Sequence, residues 1–555
     1  MSFKLLIKFL FFNNFSFMRL LLIALIIISS IIEVFSVYAI YPLVSVLFDI
    51  NTINFDNKYL NELNSFLTSI PKIYLITISF SLLILNSFLL FITQLFIYKY
   101  VYHNGYEISK SLFTIYIRKD LIYFAKKDKS ELVKNIINEC QRFIDGIMLQ
   151  IYQAISKFIP IIFVISLLLL IDFTISIFSI VILSLIYLIY FFIFKKKIRK
   201  ISRDSSKYLA NMHRSLNEAF NLVDIIKIDE KYDFFIKRLN QSINDFKNYN
   251  FMTTIFSMSP KYFVEILIFL FFLFFFIFSY ESYNLINYLP ILSIYFYGMV
   301  RILPHIQSIF HSYSTISVNY NAFSIISDQI NSGSEYVIKS DCKIFDNNQQ
   351  FTVTLQNVEF VYDNKKKFKF NVNFKKGDNI ALFGESGSGK STFIKVLTGL
   401  LNPKKGKIEV TDNIGNKLNY IDFKNSISYM PQNINLINDN IEKNISLQES
   451  ISNKEKKMIF TILKKFNLSD FKYKLSKTIG DNGNNLSGGQ RQRLALSRML
   501  FKNSNILVLD EIDTYLDREN INLLIKYILK DKSKTIIFST HNKSLLKYAN
   551  KVIRF

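Results

Sequence analysis

The sequence predicts two architectures on one chain: a six-helix α membrane domain, then an α/β domain built on a mostly parallel sheet. Three observations predict it. The apolar excess sits before about Thr315. Within that excess, apolar stretches of about 20 residues recur, the length needed to cross a bilayer's hydrocarbon core. From Phe351 onward, short β-rich runs (FTVTLQNVEFVY, NIALFG, ILVLD, TIIFST) alternate with helical stretches, the pattern of a parallel α/β domain. The expected divisions are a membrane domain over 1–318, a linker over 319–345 and the α/β domain over 346–555.

Composition fits this division. The chain has 555 residues, half of them apolar and 16% aromatic, with 15 Gly and 8 Pro, room for two or three domains. The formal charge is +24. Lys and Arg cluster beside long apolar runs, so membrane topology explains them and nucleic acid is not an expected partner. Cys140 and Cys342 lie far apart without metal-ligand spacing, so they read as ordinary thiols in a reducing compartment.

The N-terminus, MSFKLLIKFL, leads into an apolar run from Arg19. That run is too long for a signal-peptide core and lacks a small-residue cleavage site, so it reads as a retained first span. Spans follow over 19–48, 73–98, 158–194, 262–278 and from Leu285 to about Ile309. Asp172 interrupts the third run, which is too long for one crossing and reads as a hairpin, giving about six spans.

The connecting loops orient them. Segment 103–150 carries Lys110, Arg118, Lys119, Lys126, Lys127, Lys129, Lys134 and Arg142, and segment 195–250 opens with KKKIRK. The loop from Asp49 to Pro71 has only Lys58, and the turns near Asp172 and Glu281 have no Lys or Arg close by. The positive-inside rule puts both termini and both basic segments in the cytoplasm. Those segments are poor in Gly and Pro and read as helices continuing beyond the membrane. Short connecting helices are expected near Phe124–Lys129 and Ile225–Tyr232. A short amphipathic helix is expected from Tyr59, where Leu60, Leu63, Phe66 and Leu67 recur at helical spacing. A polar helix over 319–334 is expected to link the two parts.

The chemistry concentrates in the second part. GESGSGKS (Gly384, Glu385, Ser386, Gly387, Ser388, Gly389, Lys390, Ser391) follows the strand NIALF and precedes a helical run opening at Thr392. That strand–loop–helix context is what a phosphate-binding loop requires. Glycines let backbone N–H groups wrap phosphates, and the helix N-terminus favours negative charge. Lys390 is placed to neutralise β/γ-phosphates, and Ser391 to ligate Mg²⁺. ILVLDE delivers Asp510, a second Mg²⁺ residue, and Glu511, a general base, to the carboxyl edge of the sheet. A second anion-binding helix start lies at Ser487, Gly488 and Gly489. One nucleotide does not need two such ends from the same subunit.

At these stations the chain resembles the ATP-binding cassette family. Leu486 to Gln490, LSGGQ, matches its signature, which in that family caps the nucleotide held by the opposite subunit. The resemblance therefore implies a working dimer binding ATP and Mg²⁺. Gln432 in YMPQN matches the Q-loop residue that touches the metal, His541 in FSTHN the switch histidine, Tyr362 in VEFVY the adenine-stacking aromatic and Asp517 in DTYLD the D-loop aspartate. TIGDNG, Thr478 to Gly483, resembles the exporter-specific segment that meets the coupling helices. With six fused spans, this implies one half of an exporter, an ATP hydrolase coupled to transport, and sets aside the family's non-transport ATPases.

For the cargo, IIEVFSVYAIYPLVSVLFD, the helix from Tyr59, YGMVRILPHIQSIFHSY and MPQNINLINDNIEKNISL resemble bacterial lipid-linked oligosaccharide flippases. That implies a homodimer or heterodimer in the bacterial inner membrane, moving a lipid-linked or other amphipathic substrate. Glu33, Glu265 and Arg301 fall within spans, where charges cost a few kcal/mol and tend to be paired or functional. Arg301 is a candidate pyrophosphate contact, with a structural Glu265–Arg301 pair as the plainer reading. His103, His213, His305 and His311 show no metal spacing and read as structural or exposed.

Two departures from the family stand out. Asp513, Thr514 and Tyr515 occupy D-loop positions where small residues are commoner, which bears on dimer closure. The chain also stops at Phe555, where many relatives continue, an end expected to loosen the ATPase edge or move contacts to a partner. Two further readings stay open: an exporter of other lipids, drugs or peptides, and a membrane-anchored regulatory ATPase that transports nothing. The absence of an N-terminal peptidase segment lowers the bacteriocin-type peptide reading.

Overall fold

A computed structural model describes residues 16–47, 70–174, 211–280, 285–331, 349–362, 366–469, 478–512, 518–531 and 533–555, with 61, 62, 66, 176, 177, 181, 208 and 345 between them. Contacts divide the chain into two compact units: Met1–Lys119 with Lys127–Tyr336, and Asp120–Lys126 with Val337–Phe555.

The first unit is helical. Helix α1 (Ser16–Tyr38) breaks at Ala39 and resumes as Ile40–Leu47. Helix α2 (Lys72–Ile117) starts after Pro71 and runs for 46 residues, about 70 Å at 1.5 Å per residue. It continues unbroken past the expected end of its span at residue 98, as the basic segment's helical reading required. Helix α3 (Leu121–Lys126), which belongs to the second unit, is the short connecting helix expected near Phe124–Lys129. It ends earlier because Asp128 caps the following helix, its carboxylate accepting from the Ser130 N–H at 3.1 Å.

The chain then passes through two π-helical stretches, Asn135–Glu139 and Ile144–Met148, into α4 (Leu149–Ile171). The predicted interruption falls at Asp172, whose extended backbone closes α4. Tyr295 pins the turn, its hydroxyl lying within hydrogen-bond distance of the Leu168 and Asp172 carbonyls, at 3.0 and 2.9 Å. Most of the hairpin's second limb, the KKKIRK run and most of the helix expected from Tyr59 lie outside the described residues; Asn61, Glu62 and Phe66 are helical.

Helix α5 (Val223–Ile228) is the second connecting helix, with Ile228 80% exposed. Helices α6 (Tyr232–Tyr280) and α7 (Leu285–Asn331) have 49 and 47 residues. The polar stretch expected as a separate linker helix from Asn319 is the continuous end of α7. Among the described residues, three helical stretches are long and apolar enough to cross a membrane: Phe17–Val46, Lys72–Ile117 and Lys129–Ile171. Val37, Tyr41, Val164, Leu168, Ile294 and Tyr295 form the buried seam joining α1, α4 and α7.

The second unit is α/β. Strands β1 (Thr352–Val361), β2 (Lys367–Lys375) and β4 (Lys405–Thr411) make an antiparallel sheet in the order β2–β1–β4. Strands β3 (Asn379–Phe383), β5 (Ile427–Met430), β6 (Ile506–Leu509), β7 (Thr535–Thr540) and β8 (Lys551–Arg554) make a parallel sheet in the order β5–β6–β7–β3–β8. The four residues of β6 and the six of β7 are all buried. That two-sided burial is why these runs read as uninterrupted apolar rather than alternating. Helices α8 (Lys390–Leu397) and α9 (Gly488–Phe501) follow the phosphate loop and the signature.

Strand β8 pairs with β3, and the Phe555 ring sits 5.7 Å from that of Phe393. The last strand is therefore paired to β3 on one side, and its final ring is packed on the core. Ile122 of α3 packs on the cluster of Val353, Phe393 and Ile537.

Candidate nucleotide site

Parallel strands deliver their ends to one edge of a sheet, the edge where α/β folds bind ligands. Strands β3, β6 and β7 are neighbours, so residues 384–391, 510–511 and 539–541 arrive there together. The loop after β3 turns sharply into α8. Gly389, the residue before the helix, has φ +115°, and a Cβ there would lie 2.6 Å from the Phe368 ring. A side chain is excluded by both conformation and space.

Lys390 is 4% exposed and donates from Nζ to the carbonyls of Gly384 and Glu385 at 2.7 and 2.9 Å. Glu385, Ser386 and Gly387 are exposed. Ser388 Oγ is buried without a hydrogen-bond partner, an unspent donor in a loop of backbone N–H groups. That arrangement fits a phosphate.

The Ser391 hydroxyl donates to Asp510 Oδ1 at 3.0 Å. Asp510 is 2% exposed. Burial pushes its carboxyl up from the ordinary 3.8, against the hydrogen bonds from Ser539 and Ser391. Glu511 has φ +53°, a left-handed conformation that costs a non-glycine residue about 1–2 kcal/mol. Its Oε2 accepts from Gln432 Nε2 at 2.7 Å, and its Oε1 lies 3.9 Å from His541 Nε2. Gln432, Asp510, Glu511, His541 and Ser391 are thus brought together.

The donors Ser391, Asp510 and the remaining amide oxygen of Gln432 are hard oxygens, the set that suits Mg²⁺ shared with substrate phosphates. Among the described residues no group of three His, Cys, Asp or Glu side chains offers an alternative metal site. The Tyr362 hydroxyl reaches Thr392 Oγ1 at 3.3 Å, and its ring packs edge-on to Phe360 at 4.9 Å. Asp517 and the D-loop residues Asp513, Thr514 and Tyr515 lie outside the described residues.

The signature stands apart from this cluster. Ser487 caps α9 by a reciprocal pair of bonds: its Oγ accepts from the Gln490 N–H, and Gln490 Oε1 accepts from the Ser487 N–H. Leu486 packs in a helical cluster with Leu436, Ile459 and Leu494. Among the described residues, a Cβ at Gly488 would meet nothing within 4 Å beyond its own neighbours and helix. Packing within the chain therefore does not require glycine there.

In the helical unit, Glu33 is fully buried and its Oε1 lies 2.8 Å from His305 Nε2. Its Oε2 has no hydrogen-bond partner. Arg301 donates from Nε and Nη2 to the Tyr297 hydroxyl, one helical turn back, rather than to Glu265. Glu265 is half-buried on α6.

Two sequence profiles match the chain. One, described as the ABC transporter, covers residues 368–514, and the other, the ABC transporter transmembrane region, covers residues 19–283. The chain belongs to the ABC transporter family. Its second unit is the family's ATP-binding domain, following a transmembrane exporter-type domain.

The transporter is similar to the lacticin-481/lactococcin-DR transport/processing ATP-binding protein of Lactococcus lactis subsp. lactis, at 27% identity over 468 residues, 80% of this chain and 64% of that protein. It is also similar to the ATP-dependent lipid A-core flippase of Francisella tularensis subsp. holarctica, at 31% identity over 210 residues, 36% of this chain and 34% of that one. The chain thus spans less than two thirds of the length of either relative. A solved structure, a bacterial Atm1-family ABC exporter with ATP bound, matches with a TM-score of 0.72, covering 98% of this chain and 94% of its own. At 16% identity that is a likeness of fold.

Several contacts in this transporter escape sequence reasoning. His305 carries no spacing signal, yet it pairs with Glu33 across 272 residues. Lys366 donates to the Gly387 carbonyl at 2.9 Å. Ser539 sits in FSTHN two residues before His541; a lone serine ending the apolar run TIIF was the available signal.

Proposed function

We propose that the protein is one half of an ATP-driven exporter that hydrolyses ATP between two copies and works by alternating access. The observation that carries this is the convergence of Ser391, Asp510, Glu511, Gln432 and His541 at one sheet edge, in a chain whose other part is the family's membrane domain.

In this reading Gly384 to Lys390 and Thr392 cradle the triphosphate, and Tyr362 stacks on adenine. Ser391, Asp510 and Gln432 hold Mg²⁺, which supplies charge neutralisation at the phosphates. Glu511 polarises the attacking water as base, held by Gln432, and His541 contacts the γ-phosphate. Leu486 to Gln490 cap the nucleotide of the opposite subunit, with Asp517 at the dimer contact. The open space around Gly488 supports that role, because the small residue is left for something outside the chain.

The partner is a second copy, or a related half in a heterodimer. The setting is the bacterial inner membrane, with both termini cytoplasmic. Nucleic acid is not a partner.

The cargo we propose is a lipid-linked oligosaccharide or related lipid, supported by the resemblance of the first and last spans and by a lipid A-core flippase among the relatives. A second reading, peptide export, is favoured by the relative aligned over 80% of the chain, whose name places it in lacticin and lactococcin transport.

Proteoliposomes given ATP and labelled lipid-linked oligosaccharide test both levels. Translocation and ATP turnover are expected, and Glu511→Gln is expected to lower both at least 100-fold while ATP still binds. Turnover stimulated by peptides or unrelated amphipaths without glycan movement would overturn the cargo assignment. Turnover with no cargo moved would favour a regulatory ATPase.

A further inference from the structure

We propose that Ser539 is a positioning residue of the ATPase: it fixes both carboxylates that follow β6. The inference rests on the roles proposed above for Asp510 and Glu511.

Strand β7 runs parallel to β6 with Leu509 opposite Phe538, so Ser539 falls beside Asp510. Side chains alternate along a strand. Phe538 packs on one face of the sheet and Ile537 on the other, which sends Ser539 to the face that carries α8. There Ser539 is fully buried. Its Oγ–H donates to Asp510 Oδ1 at 2.8 Å, and the same oxygen accepts the Glu511 N–H at 2.6 Å.

One hydroxyl has one proton and two lone pairs, so both bonds form at once without conflict. Its backbone carbonyl accepts the next amide, Ile512 N–H, at 3.2 Å. Ser539 therefore grips three consecutive residues of the strand-to-loop turn. The middle one, Glu511, is held in the left-handed conformation that aims its carboxylate at Gln432 and His541.

Removing the hydroxyl frees both carboxylates. The Glu511 turn loses the bond that holds its strained backbone, so the base is misaligned in the transition state while ATP contacts at the loop after β3 persist. Asp510 loses one of the two hydroxyls that fix its Oδ1.

The test uses the full-length protein in detergent or liposomes with Mg-ATP. Ser539→Ala is expected to lower kcat about tenfold with KM for ATP changed less than about twofold. Ser539→Thr, which keeps the hydroxyl, should restore kcat. Should the alanine variant not fold, Ser539→Cys, close in size and a weaker hydrogen-bond former, carries the same expectation in smaller measure. An unchanged kcat, or a threonine variant as impaired as the alanine one, overturns the assignment. Glu511→Gln run alongside separates the two levels: wild-type turnover in that variant defeats the role of Glu511 itself, independently of Ser539.

Discussion

Replacing His305 with alanine removes the partner of a carboxylate inside the helical unit. Glu33 is fully buried, and the two side chains meet at 2.8 Å. Glu33 Oε2 already lacks a hydrogen-bond partner, so His305→Ala leaves both oxygens without one. Leaving a buried polar group without its hydrogen-bond partner costs about 1–3 kcal/mol, so the expected destabilisation is about 2 kcal/mol. Glu33→Gln, which keeps the shape and a hydrogen-bonding group opposite His305, should cost less, and the double variant should fall short of the sum by at least about 1 kcal/mol. The chain has no Trp, so unfolding is best followed by helical circular dichroism during denaturant titration in detergent. A His305→Ala variant within about 0.5 kcal/mol of wild type, or an additive cycle, would refute the reasoning.

Two other expectations concern the nucleotide-binding domain. Gly488→Asp should leave thermal unfolding of the domain unchanged, since among the described residues nothing beyond its own neighbours and helix lies within 4 Å of a Cβ there. It should lower ATP turnover at least tenfold, because it sets a carboxylate where the opposite subunit's phosphate is proposed to bind; unchanged turnover counts against the in-trans role. The second concerns pH. Burial raises the Asp510 carboxyl above 3.8, so the folded state holds this proton more tightly than the unfolded chain does. On its own, Asp510 therefore favours folding at acid pH, and that contribution is lost as pH rises through the raised value. On the role proposed for Asp510, Mg-ATP binding has the opposite dependence because it would need the ionised form. Titrated calorimetrically, it should weaken on acidification before ordinary carboxylates protonate, and earlier still in Ser391→Ala.

The parts of this protein legible from sequence are those whose physics is local. Gly384 to Ser391 turn sharply from strand to helix with their own backbone, so the loop announces itself, and Gly389 takes φ +115° there. The apolar runs of β6 and β7 are uninterrupted because both faces are buried. Asp172 shows as a break because a charge at membrane depth is costly and the chain turns there. The end of α3 was misplaced by three residues because the cap at Asp128 looks, in sequence, like one more polar residue of a basic helix.

What only the tertiary structure decided is which distant groups meet. Glu33 and His305 sit on α1 and α7, and nothing in the residues between them encodes the pairing. Arg301 turned to Tyr297 rather than Glu265, because a phenol one turn away on the same helix is nearer than a carboxylate on another. Ser539 became visible only when the order β5–β6–β7 set it beside Asp510. Local chemistry is written in spacing along the chain; the partners of a buried polar group are set by which elements pack together, and that is decided by the whole core at once.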